Sequence, residues 1–372
     1  MSQPEVSWDS PATATFLHIE GEQRPGAATR RWVFVGLVGV LLIVFLLSIS
    51  LGSVAIPLGD IGRVLLGGEA QKATWTTIVF HFRLPKALTA MLAGAALAVS
   101  GLQMQTLFRN PLAGPFVLGV SSGASLGVAL VVLGVGAGST SLLAGLGLLG
   151  NFGIAAAASI GAGAVMMAVL VLARRGHSSM TLLILGMLFG YATGGLVSIL
   201  LYFAIGERIQ SYLLWTFGSF GKVTWGQMAV FAPTILFALL IGVLMAKPLN
   251  ALLLGEAYAR SMGLNVNRAR IGIVVSASVL AGVVTAFCGP IAFLGVAVPH
   301  LCRSLFNTSD HRLLLPGVSL LGAVLALLTD LIAHVPGSSI TLPLNAVTSL
   351  VGAPVVAWVI LRRRNLRQAF AG

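Results

Sequence analysis

The ionisable residues that could do chemistry are few, and they stand at the ends of apolar segments. Arg83 and Lys86 flank Pro85 ahead of a long apolar stretch, and cations exposed there would attract the carboxylates of a partner protein. Snorkelling of both side chains toward lipid head groups is the alternative. Asp330 lies within a predicted membrane segment, and His334 follows it four residues later on the same helical face. This spacing favours a local Asp–His pair over a proton relay.

The sequence lacks the motifs of common enzyme classes. It contains no His-Glu-x-x-His, no Gly-x-Ser-x-Gly and no paired carboxylates. The pair Gly221-Lys222 is followed by Val223, so no ATP-binding P-loop is present. We therefore predict no catalytic residue, no metal ligand and no cofactor. The energy for any transport must come from another subunit or from an ion gradient.

Two polar interruptions separate apolar segments on the same predicted side of the membrane. The first is 110–115, which reads Asn-Pro-Leu-Ala-Gly-Pro, and the second is 177–181, which reads His-Ser-Ser-Met-Thr. A helix that stops within hydrophobic sequence must hide its free backbone groups against protein or in a wet cavity. Such breaks are typical of pathways through membranes. The first could also be a plain turn between helices, but the two together indicate a gate.

A further segment, 248–268, is amphipathic and helix-forming but too polar to span a membrane. Short helices of this type lie on the membrane face or dock into a partner's groove. The sequence therefore predicts a protein-docking element between two membrane segments.

The composition is that of an integral membrane protein. Of the 372 residues, 57% are hydrophobic and only 9% are charged, and the mean hydropathy is +0.98. So few charges could not cover the apolar surface of a soluble domain. The net charge of +12 is spread over short loops and segment ends, which argues against a nucleic-acid-binding surface.

The apolar segments predict an all-α protein with about ten transmembrane helices. Residues 1–30 are predicted as a disordered cytoplasmic tail, 31–364 as the membrane domain and 365–372 as a second cytoplasmic tail. Most Lys and Arg residues then fall on the side of both termini, which predicts that this side is cytoplasmic. Spans of about 20 residues are predicted at 32–53, 84–106, 115–136, 146–173, 180–204, 228–247, 269–288, 291–305, 313–333 and 343–361.

Several long motifs occur along the chain in the order typical of one family. They are Arg83–Lys86, Ser100–Gln105, Asn110–Ala113, Leu118–Ala124, Leu254–Ala257, Ser261–Leu264, Gly289–Gly295, Val298–Arg303, Asp310–Arg312, Leu342–Pro343 and Gly352–Pro354. Through them the chain closely resembles the FecCD family of permeases, from about residue 32 to 364. These are the membrane subunits of ABC importers for iron-siderophores, haem and cobalamin.

The resemblance implies the fold of a type II ABC importer permease and assigns roles to three groups of residues. The implied cytoplasmic gate is Asn110, Pro111, Leu112, Ser178 and Ser179; the implied ATPase-coupling segment holds Gly255, Glu256, Ala257, Arg260, Met262 and Gly263; and the implied docking residues for a binding protein are Arg83, Lys86 and His334. Lys86 stands where the family has an arginine, and His334 replaces a third family cation.

The resemblance also implies partners and a location. A second permease copy or a sister permease would complete a dimer in the inner membrane of a prokaryote. Two ATPase subunits and an extracytoplasmic substrate-binding protein would complete the importer. An iron(III)-siderophore is the first expectation for the substrate, with haem or cobalamin as the alternative. An ion-coupled carrier is disfavoured, because it would need more intramembrane charge than this sequence contains.

Overall fold

The computed structural model describes residues 27–133, 147–174, 179–334 and 341–362. Within these ranges the chain is helical, apart from loops and one isolated antiparallel bridge between His334 and Thr341. The helices are α1 (Ala27–Ser50), α2 (Leu58–Leu65), α3 (Ala73–Leu107), α4 (Val120–Val132), α5 (Gly147–Arg174), α6 (Ser179–Phe203), α7 (Gly206–Thr216), α8 (Trp225–Leu244), α9 (Ala246–Leu253), α10 (Glu256–Ser261), α11 (Val266–Cys288), α12 (Leu294–Phe306), α13 (His311–Ala333) and α14 (Leu344–Arg362).

The apolar helices follow the predicted membrane segments in number and order. Among the described residues, 7 helices are long and apolar enough to cross a membrane, and α4, α12 and α14 contain shorter apolar stretches. Together they match the ten predicted segments one for one. The predicted all-α membrane fold is therefore confirmed. The predicted tails fall mainly outside the described residues.

Helix α3 forms the centre of the bundle, because small residues let its neighbours approach closely. A Cβ atom added to Gly94 would lie 2.2 Å from the carbonyl oxygen of Gly322 in α13, and one added to Gly101 would lie 1.7 Å from that of Gly295 in α12. Buried polar side chains add bonds to α11: Ser100 Oγ donates to the Ala277 carbonyl oxygen at 2.8 Å. Alanine at either α3 glycine would force these helices apart.

The helix around Pro85 begins earlier than the sequence predicted. The prediction placed Pro85 in a first helical turn, but α3 is already helical from Ala73. A π-helical turn, Val79–Arg83, ends two residues before the proline. In a regular helix the Pro85 ring would clash with the carbonyl of residue 81, and this residue lies inside the π turn. The wider turn thus lets an apolar helix continue through a proline.

Helix α6 lies at the edge of the single chain. Its large apolar side chains are mostly exposed, in contrast to those of α3. The exposed ones are Met180, Ile184, Met187, Leu188, Tyr191, Leu196, Ile199, Tyr202 and Phe203. This surface requires lipid or another chain to cover it.

Candidate functional site

The first predicted gate segment is a tight, hydrogen-bonded turn after α3. The chain leaves the helix through Arg109, whose φ is 47°. The side-chain oxygen of Asn110 accepts a hydrogen bond from the Leu112 N–H at 2.9 Å, and the Asn110 carbonyl accepts one from the Ala113 N–H at 3.1 Å. Leu112 is 52% exposed at the tip of the turn. The geometry is a defined turn that presents one apolar side chain.

This turn is anchored to α12. His300 Nε2 lies 2.7 Å from the Pro111 carbonyl oxygen. Gln105, at the end of α3, donates to the Val296 carbonyl oxygen at 3.2 Å and accepts from Arg303 Nη1 at 2.8 Å. The sequence analysis assigned no role to His300 or Arg303, although polar residues three apart on an apolar helix are a signal of a shared function.

The predicted docking segment, 248–268, contains two short helices, α9 and α10, and the predicted coupling residues lie in α10 and at its two ends. Gly255 separates them with φ +102°, and Gly263 follows α10 with φ +83°. Tyr258 and Met262 are 53% and 51% exposed. The segment is helical and does not span the membrane, as the sequence predicted, and it offers an apolar surface to solvent.

Glu256, the first residue of α10, connects three elements. Its Oε1 accepts hydrogen bonds from Ser179 Oγ at the start of α6, at 3.0 Å, and from Arg270 Nη2 in α11, at 2.7 Å. Its Oε2 lies 3.6 Å from Arg260 Nη2. Burial raises the pKa of Glu256, but the bonds from Arg270 and Ser179 and the charges of Arg270 and Arg260 outweigh burial and hold this pKa below its ordinary value. The carboxylate is therefore ionised at neutral pH.

The start of α10 also lies close to Arg109, the residue before the first gate segment. A Cβ atom on Gly255 would lie 3.7 Å from Arg109 Nη1. Ser179 belongs to the second predicted gate segment, and Ser178 lies outside the described residues. The fold thus brings the predicted coupling segment next to Ser179 of the second gate segment and to Arg109, the residue before the first. Sequence reasoning missed Arg270, whose signal was a cation within the first turns of an apolar helix.

At the opposite end of α3, Arg83 is an internal residue. It is 7% exposed. Its Nη1 donates to the carbonyl oxygens of Ile49 and Ser50 at 2.7 and 2.8 Å, and its Nη2 donates to that of Val54. These carbonyls lie at or just beyond the C-terminus of α1, where a positive charge also interacts favourably with the negative end of the helix dipole. The geometry makes Arg83 a cap of α1, whereas the sequence analysis pictured an exposed cation.

Lys86 and His334 meet at Asp330. Lys86 Nζ lies 2.9 Å from Asp330 Oδ2, and His334 Nδ1 lies 3.3 Å from Asp330 Oδ1. The side chain of Asp330 is 1% exposed, whereas those of Lys86 and His334 are 18% and 32% exposed. The local Asp–His pair is present as predicted, but Lys86 as its third member was not foreseen. Asp330 neutralises one positive charge of this cluster.

Comparison with known proteins identifies similar chains over most of this length. A family model described as the FecCD transport family matches residues 40–362. The hemin transport system permease protein HmuU of Yersinia pestis is 35% identical over 337 residues, 90% of this chain and 97% of the relative. The vitamin B12 import system permease protein BtuC of Klebsiella pneumoniae is 37% identical over 337 residues, 91% of this chain and 95% of the relative.

A solved structure also matches the fold. It is described as an inward-facing conformation of a metal-chelate type ABC transporter. The TM-score is 0.76 at 27% sequence identity, and the match covers 89% of this chain and 99% of that chain. The helical arrangement described above is thus that of a type II ABC importer permease.

Proposed function

The chain belongs to the FecCD transport family as a multi-pass permease subunit of a bacterial ABC importer, and we propose that it imports a tetrapyrrole chelate, haem or a corrinoid. The observation that supports this substrate class is the similarity to permeases named for hemin and vitamin B12, at 35% and 37% identity. These relatives favour the alternative of the sequence analysis over the iron(III)-siderophore, its first expectation. The subunit itself is not catalytic, and ABC importers of this family work with an ATPase and a binding protein.

In this proposal, α10 is the element that docks on the ATPase. Its exposed Tyr258 and Met262 supply an apolar contact surface, and Gly255 and Gly263 allow sharp backbone turns at both ends. Short helices that present apolar side chains are suited to a partner's groove. The proposed coupling residues are Gly255, Glu256, Ala257, Arg260, Met262 and Gly263. In this proposal, the side of the membrane on which they dock, and with it both termini, is cytoplasmic.

The proposed cytoplasmic gate is the turn Asn110–Leu112 together with Ser178 and Ser179. The exposed apolar tip at Leu112 supports this role, because an apolar constriction blocks water and polar solutes. Anchoring of Pro111 by His300 keeps the tip in a defined position. A second permease copy or a sister permease would cover the apolar surface of α6 and face this gate across the pathway.

The proposed contact for the binding protein is the opposite end, at Lys86 and His334. Their side chains reach the surface, whereas Arg83 would act indirectly by fixing the end of α1. Because Asp330 neutralises Lys86, protonation of His334 decides whether the cluster carries a net positive charge. Such a surface would guide an acidic partner most strongly at low ionic strength.

Transport in proteoliposomes tests the proposal. The permease is reconstituted with its ATPase and its binding protein, and uptake of haem, cobalamin and a ferric siderophore is measured with and without ATP. We expect ATP-dependent uptake of haem or cobalamin and none by the permease alone. Uptake of the ferric siderophore alone would overturn the substrate class, and uphill uptake by the lone permease would overturn the proposed function as a whole.

A further inference from the structure

Helices α9 and α10, on either side of Gly255, are held in different ways. Helix α9 is fixed to the membrane core through Asn250, which donates to Asp310 Oδ1 at 2.6 Å and accepts from the His311 N–H at 2.8 Å. The His311 ring continues the network to Thr106 Oγ1 of α3, at 2.8 Å. His311 is fully buried, so α9 moves only together with α3 and α13.

Among the described residues, α10 is held by its first residue, Glu256, which bonds to Ser179 and Arg270, and by the buried Ala259. It lies between Gly255 and Gly263, both in backbone conformations with positive φ. A Cβ atom at Gly263 would meet nothing within 4 Å, and one at Gly255 would only touch the Arg109 side chain. Glycine is therefore present at these positions for the backbone conformation and not for lack of space. Two such positions can absorb a rotation of α10 relative to α9.

The polar tie between α10 and the membrane helices is the carboxylate of Glu256. Within the described residues, its Oε1 joins Ser179 at the first turn of α6 and Arg270 in α11. Arg270 is 2% exposed and reaches the carboxylate from inside the bundle, whereas the Glu256 side chain is 35% exposed. A charge-assisted bond from a buried guanidinium fixes the position of the carboxylate, and the carboxylate in turn fixes the Ser179 hydroxyl.

We propose that Glu256 is the latch that transmits a rotation of α10 to the start of α6, and that Arg270 is the positioning residue that holds this latch in register. The inference rests on the proposed function, because it assumes that α10 docks on the ATPase and that Ser179 lines the gate. It adds a specific path between them: a movement of the first residue of α10 displaces the Ser179 hydroxyl directly, without passing through the rest of the bundle.

A structural role without transmission would make a different prediction. Glu256 also lies in the first turn of α10, where a negative charge favours the helix dipole. If that were its only role, loss of the carboxylate would loosen α10 and weaken ATPase docking. Replacement of Ser179 would then leave the coupling of transport to ATP hydrolysis unchanged. The hydroxyl of Ser179 therefore separates the two roles.

The test measures substrate molecules imported per ATP hydrolysed, in the complete importer in proteoliposomes. Ser179→Ala and Glu256→Gln should each lower this ratio by roughly tenfold, the size of a lost bond to a charged group. ATPase binding and basal hydrolysis should be retained in Ser179→Ala. Ser179→Thr keeps the hydroxyl and should keep the ratio. Ser198→Ala, on the exposed part of α6, and Glu207→Gln, on α7, are the matched controls.

The double variant supplies the decisive comparison. If Ser179 and Glu256 act through one bond, Ser179→Ala/Glu256→Gln should lower the ratio no further than the more severe single variant. Independent, multiplicative losses would overturn the latch, and so would a normal ratio in Ser179→Ala. A wild-type importer that fails to transport with ATP would instead refute the proposed function, so the two failures are distinguishable. Arg270→Lys keeps the charge but loses the planar fork, and we expect a partial loss.

Discussion

The pair of Lys86 and Asp330 offers a quantitative test of the ion-pair cluster between α3 and α13. Removing one partner of a buried pair costs about 3–5 kcal/mol, because the other charge stays buried. Lys86→Met leaves the 1% exposed carboxylate with His334 alone, so we expect a loss of about 3 kcal/mol in the free energy of unfolding. Asp330→Asn leaves a lysine that is already 18% exposed and can turn toward water. Its loss should be smaller, about 1–2 kcal/mol.

The double variant Lys86→Met/Asp330→Asn removes both charges together. It should lose about 2 kcal/mol less than the sum of the single losses, which is the coupling energy of the pair. Denaturant unfolding in detergent micelles, followed by circular dichroism, measures all four proteins. Lys247→Met, at an exposed position, is the control for loss of a lysine. Losses that add to within about 0.5 kcal/mol would refute the reasoning, because they would mean that the two charges do not interact.

Two further predictions concern the same end of the molecule. Arg83→Gln removes the guanidinium from the end of α1 and should lower the free energy of unfolding by about 3 kcal/mol in the same assay; an unchanged stability would mean that this cation is free to serve a partner. The hydrogen bond to Asp330 raises the pKa of His334 above 6.5, against the opposing effect of burial and of the Lys86 charge. Its protonated form therefore adds stability that is complete below pH 6.5 and is lost as the pH rises through the higher folded pKa. His334→Gln should flatten this part of the pH profile of unfolding, and an identical profile in both proteins would contradict the ion pair.

The fold class followed from the sequence because the bilayer restricts a spanning chain to few solutions. An apolar run of about 20 residues must satisfy its backbone internally, so the approximate position of each apolar helix could be read from hydropathy. The turn at Asn110–Pro111 and the non-spanning coupling helices were likewise predicted from local residue types, and the structure contains both. The family resemblance rested on motifs of the same local kind.

Contacts between distant residues could not be predicted in this way. Hydropathy records where a charge lies along a helix, but not which carbonyl or carboxylate it meets. Arg83 and Lys86 therefore looked like one pair of cations, and only the tertiary structure separates them, with Arg83 on the carbonyls of α1 and Lys86 on Asp330.

The sequence by itself determined that this chain is a helical membrane protein with breaks at defined positions, because apolar length and turn residues act locally. The tertiary structure alone decided that Glu256 reaches Ser179, 77 residues away, and Arg270 in a third helix. The physical reason is that a partly buried, ionised carboxylate is stabilised where donors from several helices converge on it. Helix packing, and not sequence spacing, sets where those donors meet.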